Sequence, residues 1–348
     1  MRTRDVVVVG ASAGGVEALR TLVAGLPADL PATVLVVLHV APSGANALPE
    51  ILDRSGPLPV RTARTGDALE RGQVLVARPD RHLFVADGHV LLTTGPRENG
   101  HRPAVDVLFR SAARALGPRA VGVVLSGNLD DGAAGLLALR AAGGTGVVQE
   151  PADALYPGMP AAAIAAGEPE HVVPLADLAA TVARLVGRPA GERPAGTDAL
   201  LREETDVARS AGHPGAGDDH PGEPSGYSCP DCNGSLFRIE DHGMLRFRCR
   251  VGHAWSPDSL RTQQSVSTEG ALWMAVRSLE ERAALHREMG RRARDAGREL
   301  TAQRFTERAA ENAAAALALH RLLAEPHEGL GSGDEDGERD ARDVEVVR

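Results

Sequence analysis

Short, uninterrupted apolar runs punctuate the first 187 residues: Val6–Val9, Val34–Leu38, Val74–Ala77, Val121–Leu125 and Val147–Val148. Ala/Leu-rich stretches of helical length, such as Val16–Ala24, Ala133–Ala141 and Leu175–Val186, lie between and after them. A strand covered by helices on both faces has no polar side, so it reads as a continuous apolar run rather than an alternation. The pattern predicts an α/β domain over residues 1–187 built on a doubly wound, mostly parallel sheet. Residues 188–226 then become rich in Pro, Gly and Asp and are expected to form a flexible linker, with Ala195–Arg209 as a candidate short helix. Residues 227–260 predict a small module of zinc-ribbon type, for reasons given below. Residues 269–325 favour helix throughout. There Leu272, Val276, Leu279 and Ala283 recur in steps of four and three as an amphipathic seam, and glycines 290 and 297 would let the stretch fold into a helical hairpin. Residues 326–348 are acidic and Gly-rich, the composition of a disordered tail.

Composition removes several function classes. The 348 residues carry a net charge of -9, which argues against nucleic acid or an anionic membrane as the main partner. All 38 basic residues are Arg, so neither a Schiff-base lysine nor a phosphate-loop lysine exists. No apolar run approaches the roughly 18 residues a membrane span needs. The apolar stretch at the N-terminus is too short for a signal peptide. Three cysteines do not make a disulfide framework. A cytoplasmic protein that is not embedded in a membrane is expected.

Gly10-Ala11-Ser12-Ala13-Gly14-Gly15 follows the first apolar run directly and precedes a helix. Its glycine spacing does not match G-x-G-x-x-G, and no G-K-[ST] follows, so nucleotide binding is weakly supported. The same residues match G-x-S-x-G, a turn in which small neighbours expose a nucleophilic serine beside the N–H groups of a helix N-terminus. The plainer alternative is a serine that caps the helix. A serine nucleophile needs a base, and the base needs an orienting acid. His39 ends the second predicted strand, and Asp131 follows the strand Val121–Leu125, with Asp130 as its neighbouring competitor. In a parallel sheet these strand ends share the carboxyl edge, where ligands bind. The chain order Ser–His–Asp differs from the Ser–Asp–His order of α/β-hydrolases.

Residues 4–187 resemble the catalytic domain of the CheB family, the chemotaxis protein-glutamate methylesterases. The stretches that carry the resemblance are GASAGG (10–15), VVLHVAP (36–42), ARPDRHLFV (77–85), HRPAVDVLFRSAA (101–113), LSGNLDDGAAGL (125–136) and YPGMPAAA (156–163). The resemblance implies Ser12 as nucleophile, His39 as general base and Asp131 as orienting acid. Asp131 is preferred to Asp130 because the family's acid directly precedes a Gly-Ala pair, here Gly132-Ala133. It implies hydrolysis of glutamate γ-methyl esters on the cytoplasmic part of a chemoreceptor, deamidation of certain glutamines by the same chemistry, and no cofactor for catalysis. Ala13 stands where many members have Thr. Gly127-Asn128-Leu129 stands where chemotaxis enzymes have Gly-Met-Gly, which makes Asn128 a candidate replacement for an oxyanion donor. The family's usual receiver domain is not seen ahead of the first strand, which leaves room for a separate response regulator as partner. The alternatives are a serine hydrolase of another ester and a non-catalytic regulatory scaffold acting through the C-terminal module.

Cys229, Cys232, Cys249 and His253 (C-x2-C, then C-x3-H) flank a predicted hairpin over Ser235–Arg248. Three thiolates and an imidazole close a tetrahedron around zinc with no open position, which is a structural site rather than a catalytic one. A segment this small lacks its own core and would need the metal to fold. His242 is a less well-placed rival to His253.

Overall fold

The computed structural model describes residues 2–42, 46–194, 199–209 and 222–324. The chain runs β1 (Val6–Ala11), α1 (Gly15–Gly25), β2 (Thr33–Leu38), α2 (Leu48–Asp53), β3 (Val60–Thr62), β4 (Gln73–Val76), then a hairpin of β5 (His82–Ala86) and β6 (His89–Thr93). It continues with α3 (Val105–Leu116), β7 (Ala120–Val124), α4 (Ala133–Ala141), β8 (Thr145–Gln149), α5 (Gly158–Gly167), β9 (His171–Val173), α6 (Leu175–Leu185) and α7 (Ala199–Arg209). Seven strands form one sheet in the order β3-β4-β2-β1-β7-β8-β9, and every neighbouring pair is parallel.

The continuous apolar runs have the predicted cause. Successive residues of β1 point to opposite faces: Val7 and Val9 join a core with Leu19, Leu22 and Val23 of α1 and Leu178 and Val182 of α6. Val6 and Val8 join the opposite core with Leu108 and Phe109 of α3 and Leu136 and Leu139 of α4. Strand order reverses at β1, with β2 on one side and β7 on the other, and a ligand crevice opens at the carboxyl ends of strands at such a switch.

The described part of the expected linker is not free chain. Helix α7 lies within it, with Leu201, Glu204, Thr205, Val207 and Ala208 buried. Two of these five are polar, so the apolar stripe of the helix does not by itself account for its buried face. Glu204 is buried because arginines from other elements surround it. The rest of that stretch, residues 195–198 and 210–221, and the tail at 326–348 lie outside the described residues.

The cysteine-bearing segment is a four-stranded antiparallel sheet: β10 (Glu223–Ser228), β11 (Ser235–Asp241), β12 (Met244–Cys249) and β13 (Ala254–Trp255). It contains the expected hairpin and resembles a zinc ribbon only loosely. It belongs with the α/β domain to one compact unit that ends at Ser259.

A second unit starts at Leu260 and is the expected helical hairpin, made by α8 (Pro257–Asp295) and α9 (Glu299–Ala324). The turn forms at Gly297, where φ is 74° and Arg298 N–H donates to Ala293 O. Gly290 instead lies within α8, and a Cβ there would stand 3.5 Å from the Ala302 carbonyl oxygen and from Phe305 Cβ. Ala302, Ala309 and Ala316 of α9 are buried at seven-residue spacing, the repeat of a coiled-coil seam. No described helix is long and apolar enough to cross a membrane.

Candidate active site

Ser12, His39 and Asp131 follow three neighbouring strands at one edge of the sheet, and the structure brings their side chains together. Ser12 Oγ lies 3.1 Å from His39 Nδ1, and His39 Nε2 lies 2.7 Å from Asp131 Oδ2. The backbone carries this alignment: His39 N–H donates to Ala11 O, and Ser12 N–H to Ser126 O, which ties the ends of β2, β1 and β7 together. Helix α1 is capped by Gly14 in a left-handed conformation (φ 68°) with no side-chain cap, so Ser12 is not a capping serine. The left-handed residue of the turn is thus Gly14 rather than the serine. Gly127 packs against the serine so closely that a Cβ would lie 2.8 Å from Ser12 Cβ.

Asp131 and Asp130 have different surroundings. Asp131 is 2 % exposed and sits at the N-terminus of α3, where its carboxylate accepts from Val105 N–H (2.7 Å) and Asp106 N–H (3.1 Å). Asn99 Nδ2 adds a third donor at 3.3 Å. Burial alone would raise the Asp131 pKa, but the His39 hydrogen bond, the neighbouring imidazoles and the Val105 N–H outweigh it and hold the carboxylate well below its usual range. Asp130 points away, to Ser256 Oγ and Ser259 Oγ.

Asp106 completes a reciprocal arrangement. From the first turn of α3 it accepts from Gly132 N–H and Gly135 N–H at the start of α4, so the two helix N-termini and the two carboxylates hold one another. Burial and the Asp131 charge push Asp106 up to about 7.

Close approach of α3 to the sheet depends on Gly10. A Cβ at that position would lie 2.2 Å from Val105 Cγ1. Gly10→Ala is expected to force back the turn that donates Val105 N–H to Asp131, and to cost about 1–3 kcal/mol through overpacking. A denaturation midpoint equal to that of the natural protein would refute this.

The metal candidates also converge. Cys229, Cys232, Cys249 and His253 bring their donor atoms within 4.8 Å of one another, and this group could hold a metal ion. His242 is elsewhere, at the β11–β12 turn, paired with Asp241.

A family model described as CheB methylesterase matches residues 7–182, half of the chain. The chain belongs to the CheB methylesterase family. A protein-glutamate methylesterase/protein-glutamine glutaminase from Symbiobacterium thermophilum is 42% identical over 185 residues, covering 53% of this chain and 51% of that protein. One from Anaeromyxobacter dehalogenans is 45% identical over 181 residues, covering 51% and 52%. This CheB-family chain thus spans about half the length of the curated relatives it matches. The crystal structure of the Thermotoga maritima CheB methylesterase catalytic domain aligns with a TM-score of 0.50 at 31% identity, covering 52% of this chain and 98% of that one.

Within this CheB-family site, four further residues surround the triad. His101 stacks on His39 with ring centroids 3.6 Å apart. Burial, and then the nearby His39, lower the His101 pKa to about 3, so it is neutral at physiological pH. Asn99 and Asp106 surround Asp131 as described. Ser126 Oγ donates to Ala13 O and accepts from Tyr156 N–H, which braces the serine turn. His101 and Asp106 lie inside a stretch that carries the family resemblance, and Asn99-Gly100 is a tight-turn dipeptide. Ser126 lies inside another such stretch, residues 125–136.

Proposed function

We infer that the protein is a protein-glutamate methylesterase that hydrolyses glutamate γ-methyl esters on the cytoplasmic part of a methylated chemoreceptor. The observation that carries this reading is the Ser12–His39–Asp131 relay at the carboxyl edge of the sheet in a CheB-family chain. His39 Nδ1 faces the serine, so the reactive tautomer carries its proton on Nε2, which donates to Asp131. His39 takes the Ser12 proton as Oγ attacks the ester carbonyl. The Ala13 N–H, beside the N-terminus of α1, is the donor we assign to the developing oxyanion. The tetrahedral species collapses as His39 returns the proton to the leaving methoxide, and methanol departs. Water, deprotonated by His39, then attacks the acyl-serine, and glutamate and Ser12 are released. Asp131 holds the tautomer and stabilises the imidazolium throughout. With a glutamine side chain the same steps release ammonia, the second activity named for the relatives.

The test is methanol release from a methylated receptor cytoplasmic fragment, with Ser12→Ala run alongside. Release by the natural protein alone supports the reading. Release of methanol only from small esters would point to a different ester substrate. No release from any methyl ester would leave a scaffold.

The Cys3His group we assign to a structural zinc ion. Bond lengths of about 2.3 Å to sulfur and 2.0–2.1 Å to nitrogen place tetrahedral ligands about 3.8 Å (S···S) and about 3.6 Å (S···N) apart. Cys232 Sγ to Cys249 Sγ is 3.6 Å, and His253 Nδ1 lies 3.7 Å from Cys229 Sγ and 3.5 Å from Cys249 Sγ. Asp231 Oδ2 stands 3.9 Å from His253 Nε2, on the side where a carboxylate orients a ligating imidazole. Atomic emission on protein purified without chelators should find about one equivalent of zinc, as a closed four-ligand site requires. A content below about half an equivalent contradicts the assignment.

A further inference from the structure

The cysteine-bearing sheet meets the active site at one turn. In Glu98–His101, His101 N–H donates to Glu98 O at 2.8 Å and Glu98 N–H to His101 O at 3.2 Å. Asn99 (φ 51°) and Gly100 (φ 78°) are both left-handed, the requirement of a type I′ turn and the reason Asn-Gly favours it. One end of this turn carries the His101 ring that stacks on His39, and its tip carries the Asn99 amide that donates to Asp131.

The strand leaving the cysteine cluster lies against the same turn. Ala254 N–H donates to Arg97 O (3.3 Å), Asn99 N–H to Ala254 O (2.8 Å), and Ser256 N–H to Asn99 Oδ1 (2.9 Å). That last bond fixes which end of the amide is oxygen, and so aims Nδ2 at Asp131 and Asp106. Ser256 Oγ also holds Asp130, one residue from the catalytic carboxylate. Asn99, Ser256, Asp130 and Asp131 are all less than 9 % exposed, so water does not readily replace these bonds. Two residues, those of β13, thus separate His253 from Ser256, whose N–H orients Asn99, and one carboxylate separates Asn99 from His39. Strand β13 itself has only two residues. Its ladder is short: Cys249 N–H donates to His253 O at 3.0 Å, and a metal would add a link from Cys249 and His253 back to Cys229 and Cys232.

We propose that a zinc-class ion at Cys229, Cys232, Cys249 and His253 anchors the His253–Ser256 strand and thereby makes Asn99 a positioning residue for the His39–Asp131 pair. Metal occupancy then sets the alignment of the catalytic base from outside the α/β domain. The proposal rests on the metal and esterase readings above, and its test is read without substrate.

The probe is zinc itself, on the full chain, with zinc content measured in every sample. The readout is the far-downfield proton resonance of His39 Nε2–H hydrogen-bonded to Asp131, assigned by its loss in His39→Gln. Chelation should shift or broaden this resonance, and zinc added back should restore it. Asn99→Gly, which keeps the left-handed backbone without strain, should shift it with zinc still bound and make it insensitive to chelation. In turnover, Asn99→Gly should lower kcat by up to about a hundredfold with KM little changed, the scale of a 1 Å misalignment. A resonance that ignores chelation in zinc-loaded natural protein overturns the coupling. So does chelation that acts on Asn99→Gly as it acts on the natural protein. Protein that binds no zinc overturns the proposal at its root. Failure to hydrolyse any ester, with the resonance responding as expected, overturns only the esterase reading. Chelation with re-addition avoids reliance on a cysteine variant that does not fold.

Discussion

Ser12→Ala is expected to lower methanol release by about six orders of magnitude, and Asp131→Asn by about four. The first removes the oxygen that forms the acyl bond and leaves only binding and oxyanion stabilisation. The second acts through a tautomer. In the natural protein both Asp131 oxygens accept: Oδ2 from His39 Nε2 and Val105 N–H, Oδ1 from Asp106 N–H and Asn99 Nδ2. An asparagine that keeps its carbonyl oxygen in the Oδ1 place, on Asp106 N–H and Asn99 Nδ2, gives up the Val105 N–H bond and turns its NH2 toward His39. That NH2 needs an acceptor, so Nε2 must lose its proton and Nδ1 must carry it. Nδ1 is the atom 3.1 Å from Ser12 Oγ; once protonated it cannot take the serine proton. The Asp106 N–H bond still caps the start of α3, so the fold should survive and circular dichroism should not change. Methanol release within about tenfold of the natural rate would refute this role, given that triad acids usually contribute far more. The double variant should be no slower than Ser12→Ala, because the residues act as one unit.

What could be read from the chain follows from how each feature is encoded. Strands β1, β2, β4, β7 and β8 announce themselves because both faces are buried, and Ser12, His39 and Asp131 because they end such strands. The edge strands β3 and β9 have three residues each, too few for any periodicity. Asn99, His101 and Asp106 acquire their roles only when α3 and the 98–101 turn fold over the sheet edge, and no local spacing records that contact. The convergence of the three cysteines and His253 was legible, since their spacing is local. The attachment of their sheet to the α/β domain was not, because it is made by buried charges and by bonds to the 97–99 turn, which no local pattern records. Arg246 and Arg248 on β12 alternate within what reads as an ordinary polar hairpin, and Glu204 lies on a helix that reads as solvent-facing.

Those charges support the second large effect, expected for Glu204→Gln. Glu204 is 1 % exposed, with Arg246 Nη1 at 2.7 Å, Arg248 Nη2 at 3.1 Å and Arg110 Nε at 3.3 Å. Arg110 also binds Glu98, and Arg248 lies 3.2 Å from it, so Glu98 and Glu204 together balance guanidinium groups from α3 and β12. Burial would raise the pKa of both carboxyls, but the arginines more than offset this and hold both below their usual values. Removing one partner of a buried pair leaves an uncompensated charge and costs about 3–5 kcal/mol, far more than an exposed pair. Glutamine keeps the shape and removes the charge, so urea unfolding of the full chain should show a loss of that order. The pH dependence gives an independent check. A carboxyl with a depressed folded pKa contributes its stability above its unfolded value of about 4.3 and loses it as pH falls toward the folded one. The gap between natural protein and Glu204→Gln should therefore be full at neutral pH and shrink below about pH 4.3. A gap that stays constant down to pH 3 would mean that shape, and not charge, holds α7 and the cysteine-bearing sheet to the catalytic domain.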